Sequence, residues 1–193
     1  MIKIDLIDEV VWSYLPVMKI VKYPAAQGGF KPFAQSQICY KDGEGLLIKM
    51  WAFEVAPLSL INKNNDKEIF NDSLLMTVIG NKLDDSFKGI SLSFNKNGNY
   101  YIENYFKGSS EIILDDININ IFTGEDLQGI YWGGEFIINN YILNKYLDLK
   151  ISNKEDFYIN FIKCCYDKNY FHCGGFLNVK ENYYDNLEKV IIR

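Results

Sequence analysis

The sequence predicts an all-β protein, an antiparallel β-sandwich of jelly-roll type with at most one or two short peripheral helices. Short apolar segments recur along the chain with turn residues between them, which is typical of sandwiches and barrels. The 14 Tyr and 13 Phe residues favour strands. Helical and strand-like segments do not alternate, which argues against a parallel α/β sheet. With 193 residues and no spacer rich in proline or serine, residues 1–193 are interpreted as a single domain.

Seven segments have the length and composition of strands. In the first, residues 45–54, apolar residues are too dense for clean alternation, which predicts a strand buried on both faces. The other six follow at similar lengths, at residues 74–79, 90–94, 100–105, 117–122, 130–137 and 157–165.

Turn residues separate several of these strands. Residues 41–45, 95–99 and 107–110 each combine glycine with polar residues, the chemistry that reverses a chain. The Asn97-Gly98 pair is the strongest hairpin signal, because both residue types tolerate the positive φ that tight hairpins need.

One helix is predicted, at residues 139–147. An asparagine can cap its amino terminus, and Ile142, Leu143, Tyr146 and Leu147 share one face at helical spacing. Because the segment is short, we expect the helix to lie at the periphery.

The charge balance bears on the partners of the protein. A formal net charge of −5 argues against nucleic acid, because phosphate binding needs a basic field. No apolar run approaches the length of a membrane span. Residues 1–9 carry acids where an export signal has basic residues and an apolar core. We therefore expect no membrane span and a cytoplasmic location, with an extracellular location as the alternative if a leader was trimmed.

The cysteines are predicted to be reduced, because Cys39, Cys164, Cys165 and Cys173 lack the even spacing of a small secreted disulfide framework. His172, the single histidine, could act as a base for a cysteine or join cysteines around zinc. Neighbouring residues of a strand point to opposite faces, so at most one of Cys164 and Cys165 can share a site with His172. Too few zinc ligands then remain, and we expect no metal and no other cofactor.

The acidic pairs Asp84-Asp85, Asp115-Asp116 and Glu125-Asp126 are interpreted as solvated loop positions. Two neighbouring carboxylates are too common to indicate glycoside hydrolysis, and no calcium site is assigned to them. The sequence has no serine nucleophile elbow, phosphate-binding glycine loop or Glu-His metal helix. We therefore expect no catalytic residues and no enzymatic activity.

Two segments place aromatic residues beside glycines. Residues 129–138 put Trp132 next to two glycines, and residues 170–176 put Phe176 next to two more. Glycine lets the backbone pass close to a ligand and leaves the flat face of a neighbouring ring open. The segments indicate a binding scaffold more than a catalytic one.

Four motifs, in order, resemble the family 9 carbohydrate-binding modules, in particular the family-9-like proteins of clostridia and related bacteria. They are an Asp-Ser pair opening a strand, an aromatic-turn-glycine segment, a Tyr-Trp plus Glu-Phe strand, and an asparagine-bearing strand followed by a histidine with an aromatic residue four positions on. They lie at residues 71–76, 94–98, 130–138 and 157–164, with His172 and Phe176 at the end.

The resemblance implies a jelly-roll sandwich that holds a sugar between aromatic rings at one end. A pyranose has an apolar face of C–H bonds and a rim of hydroxyl groups, so its binder needs a flat aromatic platform and a few fixed polar groups. The expected partner is a mono- or oligosaccharide, on a platform formed by the loop before Asp72 and the segment around residues 172–184. The candidate ligand-binding residues are Phe70, Trp132, His172, Phe176, Tyr183 and Tyr184.

Several of these aromatic residues also fit structural positions. Trp132 lies within a strand and fits the core, as do Trp12 and Trp51. One of Tyr183 and Tyr184 fits an ordinary exposed position.

Two other functions stay open. One is an interaction or regulatory sandwich that has lost the sugar site, and the other is a metal- or thiol-dependent enzyme centred on His172 and Cys173. A pocket between facing rings with polar groups at its rim favours sugar, and a flat apolar surface favours a protein partner. A Cys-His cluster with metal-range spacing favours the enzyme.

Overall fold

Two β-sheets lie face to face in the computed structural model, which describes residues 1–83, 86–151, 155–180 and 182–192. Asp84 and Asp85, interpreted above as solvated, lie outside the described residues. The described ranges contain the following strands: β1 (Ile2–Ile4), β2 (Leu6–Ile7), β3 (Met18–Ile20), β4 (Lys22–Ala26), β5 (Ala34–Lys41), β6 (Gly45–Phe53), β7 (Leu74–Leu83), β8 (Ser86–Phe94), β9 (Tyr100–Phe106), β10 (Ser109–Ile112), β11 (Ile119–Asp126), β12 (Gly129–Asn139), β13 (Phe157–Cys165), β14 (His172–Gly175) and β15 (Glu188–Ile192).

The larger sheet has nine strands and the smaller has six, counted over the described ranges. The larger sheet runs β1-β15-β13-β7-β8-β9-β10, and β14 joins it between β13 and β4. The smaller sheet runs β11-β12-β6-β5-β2, with β3 also paired to β5. The pairs are antiparallel except β1 with β15 and β2 with β5. The predicted all-β sandwich is confirmed, with parallel pairing where the amino-terminal segment joins each sheet.

The predicted hairpins are present, and the turn at residues 95–99 shows why. Gly98 has a φ of 83°, in the left-handed region that favours glycine. The side-chain oxygen of Asn95 accepts from the backbone N–H groups of Asn97 and Asn99. Five residues, 95–99, therefore separate β8 from β9, with glycine in the left-handed region, and they do not form the two-residue turn that Asn-Gly pairs often form.

Strand β6 alternates between two environments, which corrects the expectation that it is buried on both faces. Leu46, Ile48, Met50 and Ala52 are fully buried between the sheets, whereas the residues between them are mostly half-buried on the outer face. Trp51 is one of these half-buried residues. Trp12 lies outside β6, in a 3-10 turn, and is also half-buried, so neither tryptophan belongs to the core. Apolar residues are dense in this segment because other side chains partly cover the outer face of β6. The Phe33 ring, for example, stacks on Phe53.

The predicted helix, α1 (Asn140–Leu147), is present and capped as expected. The Asn139 side chain accepts a hydrogen bond from the backbone N–H of Ile142 at 2.9 Å. Ile142, Leu143 and Leu147 are fully buried in the main apolar core. The helix closes one end of the sandwich with its apolar face on the core, while Tyr141, Asn144 and Lys145 face solvent, as expected of a peripheral helix. None of the helices in the described part of the chain has the length and hydropathy of a membrane span.

Candidate functional site

The alternation that builds the core also carries polar side chains inward at the end opposite to helix α1. Glu54 takes the next inward position after Ala52 of β6, and it is buried. On β13 the inward positions continue from Phe161 to Lys163, which has no exposed surface. Ser73 lies on the inward side just before β7. Three polar side chains from three distant segments thus meet between the sheets.

The Glu54 carboxylate is the centre of this buried network. Ser73 Oγ donates to it at 2.8 Å, and Trp132 Nε1 donates to Glu54 Oε2 at 3.0 Å. The Lys163 ammonium lies 3.2 Å from the same oxygen. Glu54 and Trp132 come from the smaller sheet, and Ser73 and Lys163 from the larger one. The network therefore joins the two sheets across the interior, and its ion pair is satisfied as a buried charge must be.

Lys163 uses its remaining donors within the network. It contacts Ser73 Oγ and lies 3.0 Å from Nε2 of His172. The His172 Nδ1 is 2.8 Å from the backbone carbonyl oxygen of Tyr170. Because Lys163 can only donate and the Tyr170 carbonyl can only accept, His172 is neutral with its proton on Nδ1.

The pKa shifts follow from these contacts. Burial raises the pKa of Glu54, but the Lys163 ammonium and the hydrogen bonds from Ser73 and Trp132 outweigh it and hold that pKa below its usual value. Burial, and then the neighbouring Lys163, lower the pKa of His172 to about 4. At neutral pH the network thus holds an ionised carboxylate and a neutral imidazole.

A cleft of about 840 Å³ opens above this network, and we call it the end cleft. Glu54, Ser73, Cys165 and His172 form its base. Its walls are mainly apolar and include three aromatic rings as well as the aliphatic side chains of the segment that follows β6. The wall residues include Phe30, Phe53, Leu58, Leu60 and Tyr170.

The exposed rings of the end cleft stand at its rim. Phe30 is 48% exposed and Tyr170 is 57% exposed. The Phe30 ring meets the His172 ring edge-on, with centroids 5.4 Å apart. The cleft therefore combines a polar base, which is fixed by buried hydrogen bonds, with aromatic surface that is open to solvent.

A second concavity, the aromatic groove, lies on the outer face of the larger sheet and measures about 520 Å³. Phe70, Tyr166 and Tyr183 supply its rings. The Phe70 and Tyr166 ring centroids are 6.2 Å apart, and the hydroxyl groups of Tyr166 and Tyr183 are hydrogen-bonded to each other. Polar side chains at its rim include those of Lys67, Glu68 and Glu103. Burial raises the pKa of Glu103, against a hydrogen bond from Ser91.

Tyr184 supports the larger sheet beside the groove and is buried. Its ring stacks on Tyr105 with centroids 4.5 Å apart. A Cβ at Gly89 would lie 2.3 Å from the Tyr184 ring, so the absence of a side chain there makes room for the ring. Burial raises the pKa of the Tyr184 hydroxyl.

The six predicted ligand-binding residues do not share one platform. His172 lines the end cleft, and Trp132 lies beneath it, 2% exposed, with its indole N–H directed at Glu54. Phe70 and Tyr183 line the aromatic groove, where the loop before Asp72 and the carboxyl-terminal segment do meet. The remaining two are structural in their contacts: Tyr184 is buried near the groove and Phe176 packs against the main core.

The glycines beside the predicted aromatic residues make room for the protein's own rings. A Cβ at Gly134 would lie 2.7 Å from the Phe94 ring, and one at Gly174 would lie 2.4 Å from the Tyr23 ring. The space beside these two glycines is therefore filled by the Phe94 and Tyr23 rings, and glycine at both positions serves close packing.

His172 and the cysteines separate onto two faces of the β13–β14 hairpin, as the alternation predicts. Cys165 is paired with His172 on the inward face, and Cys164 is paired with Cys173 on the outward face. All four cysteines are free thiols. Within the described ranges, no group of three or more His, Cys, Asp or Glu side chains is placed to hold a metal ion.

Three residues of the network, Glu54, Ser73 and Lys163, were missed as site residues by the sequence analysis. The signal that finds them is a charged residue at an inward position of an apolar strand. Counting by twos from Met50 through Ala52 reaches Glu54, and counting from Ile159 through Phe161 reaches Lys163. A buried charge needs a partner of opposite charge. An inward glutamate therefore predicts a nearby cation, and an inward lysine predicts a nearby carboxylate.

Comparisons with known proteins bear on the fold. No family model matches the sequence, and no curated protein matches it. The structure is similar to the crystal structure of a protein from Bacteroides uniformis described as a "putative carbohydrate-binding protein", with a TM-score of 0.79 and 11% sequence identity. The match covers 100% of this chain and 98% of that chain. At this identity the likeness shows a shared all-β sandwich fold.

Proposed function

We propose that this protein binds a mono- or oligosaccharide in the end cleft and does not convert it. The observation that carries the proposal is the buried Glu54 carboxylate, held by three donors at the base of a cleft with aromatic rings at its rim. The similarity of fold to a protein described as carbohydrate-binding supports it.

The chemistry of the cleft suits a sugar. The rings of Phe30, Phe53 and Tyr170 offer apolar surface to the C–H face of a pyranose. At the base, Glu54 and Ser73 offer oxygen atoms to its hydroxyl groups. Because the network already fixes these atoms, little side-chain entropy is lost when a ligand binds.

The same contacts argue against catalysis at this site. Glycoside hydrolysis ordinarily uses two carboxyl groups that flank the scissile bond. Among the described residues that line the cleft, Glu54 is the only acid. Its pKa is lowered, because Lys163 and the two hydrogen bonds outweigh the effect of burial, so it is a poor proton donor at neutral pH.

We also propose that residues 1–193 act as one module of the jelly-roll type, related to the family 9 carbohydrate-binding modules. Support for one module comes from the amino-terminal segment, which pairs with β15 through β1 and with β5 through β2. Support for the relation comes from the ordered motifs described above and from the sandwich fold.

Titration calorimetry with a panel of mono- and oligosaccharides tests the function. We expect heat of binding with at least one saccharide, and a loss of affinity of at least tenfold in Tyr170→Ala. Tyr141→Ala is the matched control, because Tyr141 on helix α1 is 60% exposed and does not line the cleft. Equal affinities for the two variants would contradict binding in the end cleft.

The aromatic groove is tested in the same experiment. Tyr183→Ala removes a ring of the groove and leaves the end cleft intact. We expect this variant to retain the wild-type affinity. Loss of binding in Tyr183→Ala alone would assign the sugar to the groove, where Phe70 and Tyr183 are predicted to bind it.

An interaction domain without a sugar site is the alternative. It is favoured by exposed aliphatic side chains beside the cleft, since Val55 is 81% and Leu60 is 70% exposed. Absence of heat with every saccharide would favour this alternative over the proposal.

A further inference from the structure

Cys164 and Cys173, here called the thiol pair, face each other on adjacent strands. Strands β13 and β14 are antiparallel, and their register pairs Cys164 directly with Cys173. Directly opposed residues in such a ladder have Cα atoms about 4.5–5.5 Å apart, inside the range of roughly 4.4–6.8 Å that disulfides span. Both side chains belong to the outer apolar cluster of buried residues. The Cα separation expected for this register therefore lies within the range of a disulfide.

The surroundings distinguish the two thiols. The Tyr166 hydroxyl lies 3.6 Å from Cys173 Sγ and donates to it. Hydrogen bonds from Cys164 and from Tyr166 lower the pKa of Cys173, against the effect of burial. The hydrogen bond to Cys173, followed by burial, raises the pKa of Cys164 well above its usual value. Cys173 keeps 5% of its surface exposed and Cys164 keeps none, so an oxidant reaches Cys173 first.

We propose that the thiol pair is a site of reversible oxidation, at which a hydroperoxide converts Cys164 and Cys173 into an intramolecular disulfide. The Cys173 thiolate attacks one oxygen of hydrogen peroxide, the O–O bond breaks, and Cys173 becomes a sulfenic acid. The departing hydroxide takes the proton that the Cys173 thiol released and leaves as water.

Cys164 resolves this intermediate. Its sulfur attacks the sulfur of the sulfenic acid, the S–S bond forms, and the S–O bond breaks. The hydroxyl group takes the proton of the Cys164 thiol and leaves as a second water. Two thiols and one hydrogen peroxide thus give one disulfide and two waters, with two electrons passing from sulfur to the peroxide.

The other two cysteines serve as controls because their environments differ. Cys165 points to the opposite face of β13, and its Sγ lies 3.2 Å from the backbone oxygen of Asn71. Cys39 lies on β5 in the smaller sheet. Neither is opposed to a second cysteine in the strand registers that the structure describes.

The test is oxidation of the folded full-length protein with hydrogen peroxide, followed by alkylation under denaturing conditions. Mass spectrometry counts the free thiols, and we expect their number to fall from four to two. A non-reducing digest should contain one peptide that links Cys164 to Cys173. Closure of this short loop should also raise Tm by about 5 °C, and dithiothreitol should reverse the rise.

Cysteine variants identify which thiol is oxidised first and which one resolves the sulfenic acid. Cys39→Ser and Cys165→Ser should each still lose two thiols, whereas Cys164→Ser should instead accumulate a sulfenic acid at Cys173 that dimedone traps. The mapped peptide of the unaltered protein decides the question even if Cys164→Ser fails to fold. Retention of all four thiols after peroxide treatment, or a linked peptide that joins any other cysteines, would overturn the proposal.

Discussion

The end cleft and the aromatic groove use the same residue types in opposite places. In the end cleft the charges of Glu54 and Lys163 are buried beneath the surface, and the aromatic rings stand exposed at the rim. In the aromatic groove the hydrogen-bonded tyrosines lie below, and the Lys67 and Glu68 side chains are exposed. A buried charge is held by its partners, whereas an exposed one reorients freely in water. The cleft is therefore the better organised of the two before any ligand arrives.

The largest expected effect comes from a substitution that breaks the buried ion pair. Lys163→Met leaves the Glu54 carboxylate buried without its cation, so we expect the free energy of unfolding to fall by about 3–5 kcal/mol. Chemical denaturation with urea measures it. Lys67→Met is the matched control in the groove, and because Lys67 is exposed it should change stability by less than about 0.5 kcal/mol. Similar losses in both variants would mean that the two concavities are equally organised.

The next effect is the pH dependence of stability between pH 5 and 7, to which His172 contributes. Burial and Lys163 lower the pKa of His172 from 6.5 to about 4, so in this range the unfolded chain binds a proton that the folded chain does not. Stability is therefore complete above pH 6.5 and falls as the pH decreases towards 4. We expect a loss of about 2 kcal/mol between pH 7 and pH 5.

Denaturation curves at several pH values, for the unaltered protein and for His172→Gln, check this prediction. The variant should lose the slope between pH 5 and 7, because the chain has a single histidine. Persistence of the same slope in His172→Gln would assign the pH dependence to other groups and remove the evidence for a neutral imidazole under the cleft.

The smallest expected effect concerns the packing of Tyr184 beside the groove. Gly89→Ala places a Cβ where the Tyr184 ring now lies, so we expect a loss of roughly 1–2 kcal/mol in the free energy of unfolding. In a Tyr184→Ala background the same substitution should cost less, since the Tyr184 ring is gone and only the Phe87 ring, 3.1 Å from the added Cβ, remains close. A double-mutant cycle measures the difference, and strict additivity would show that the two positions do not interact.

Much of the fold could be predicted from the chain alone. Strand β13 begins and ends at the residues that its composition predicts, and Asn139 caps the helix as expected. These features depend on neighbours in sequence. Strand β11 begins at Ile119 and not at residue 117, because the side chain of Ile117 enters the core from the loop before the strand. The short strand β14 escaped prediction, since only its partners β13 and β4 give four residues a place in a sheet.

The candidate site was predicted less well, for a physical reason. The loop before Asp72 and the carboxyl-terminal segment do meet, but at the aromatic groove, while His172 belongs to the other concavity. Aromatic residues beside glycines are common to packing and to binding, so they do not distinguish the two. A charge at an inward strand position is a sharper signal, because it is tolerated in a core only with a partner.

The sequence by itself determined most of the longer strands, the turns between several of them, and the alternation of side chains along a strand, because those properties arise from a repeat of two and from local turn chemistry. The tertiary structure decided that Glu54, Ser73 and Lys163 meet at one end of the sandwich and that Cys164 opposes Cys173. Such meetings depend on the order and register of strands that are distant in the chain. No single strand encodes that order, since the buried surface of both sheets together selects it.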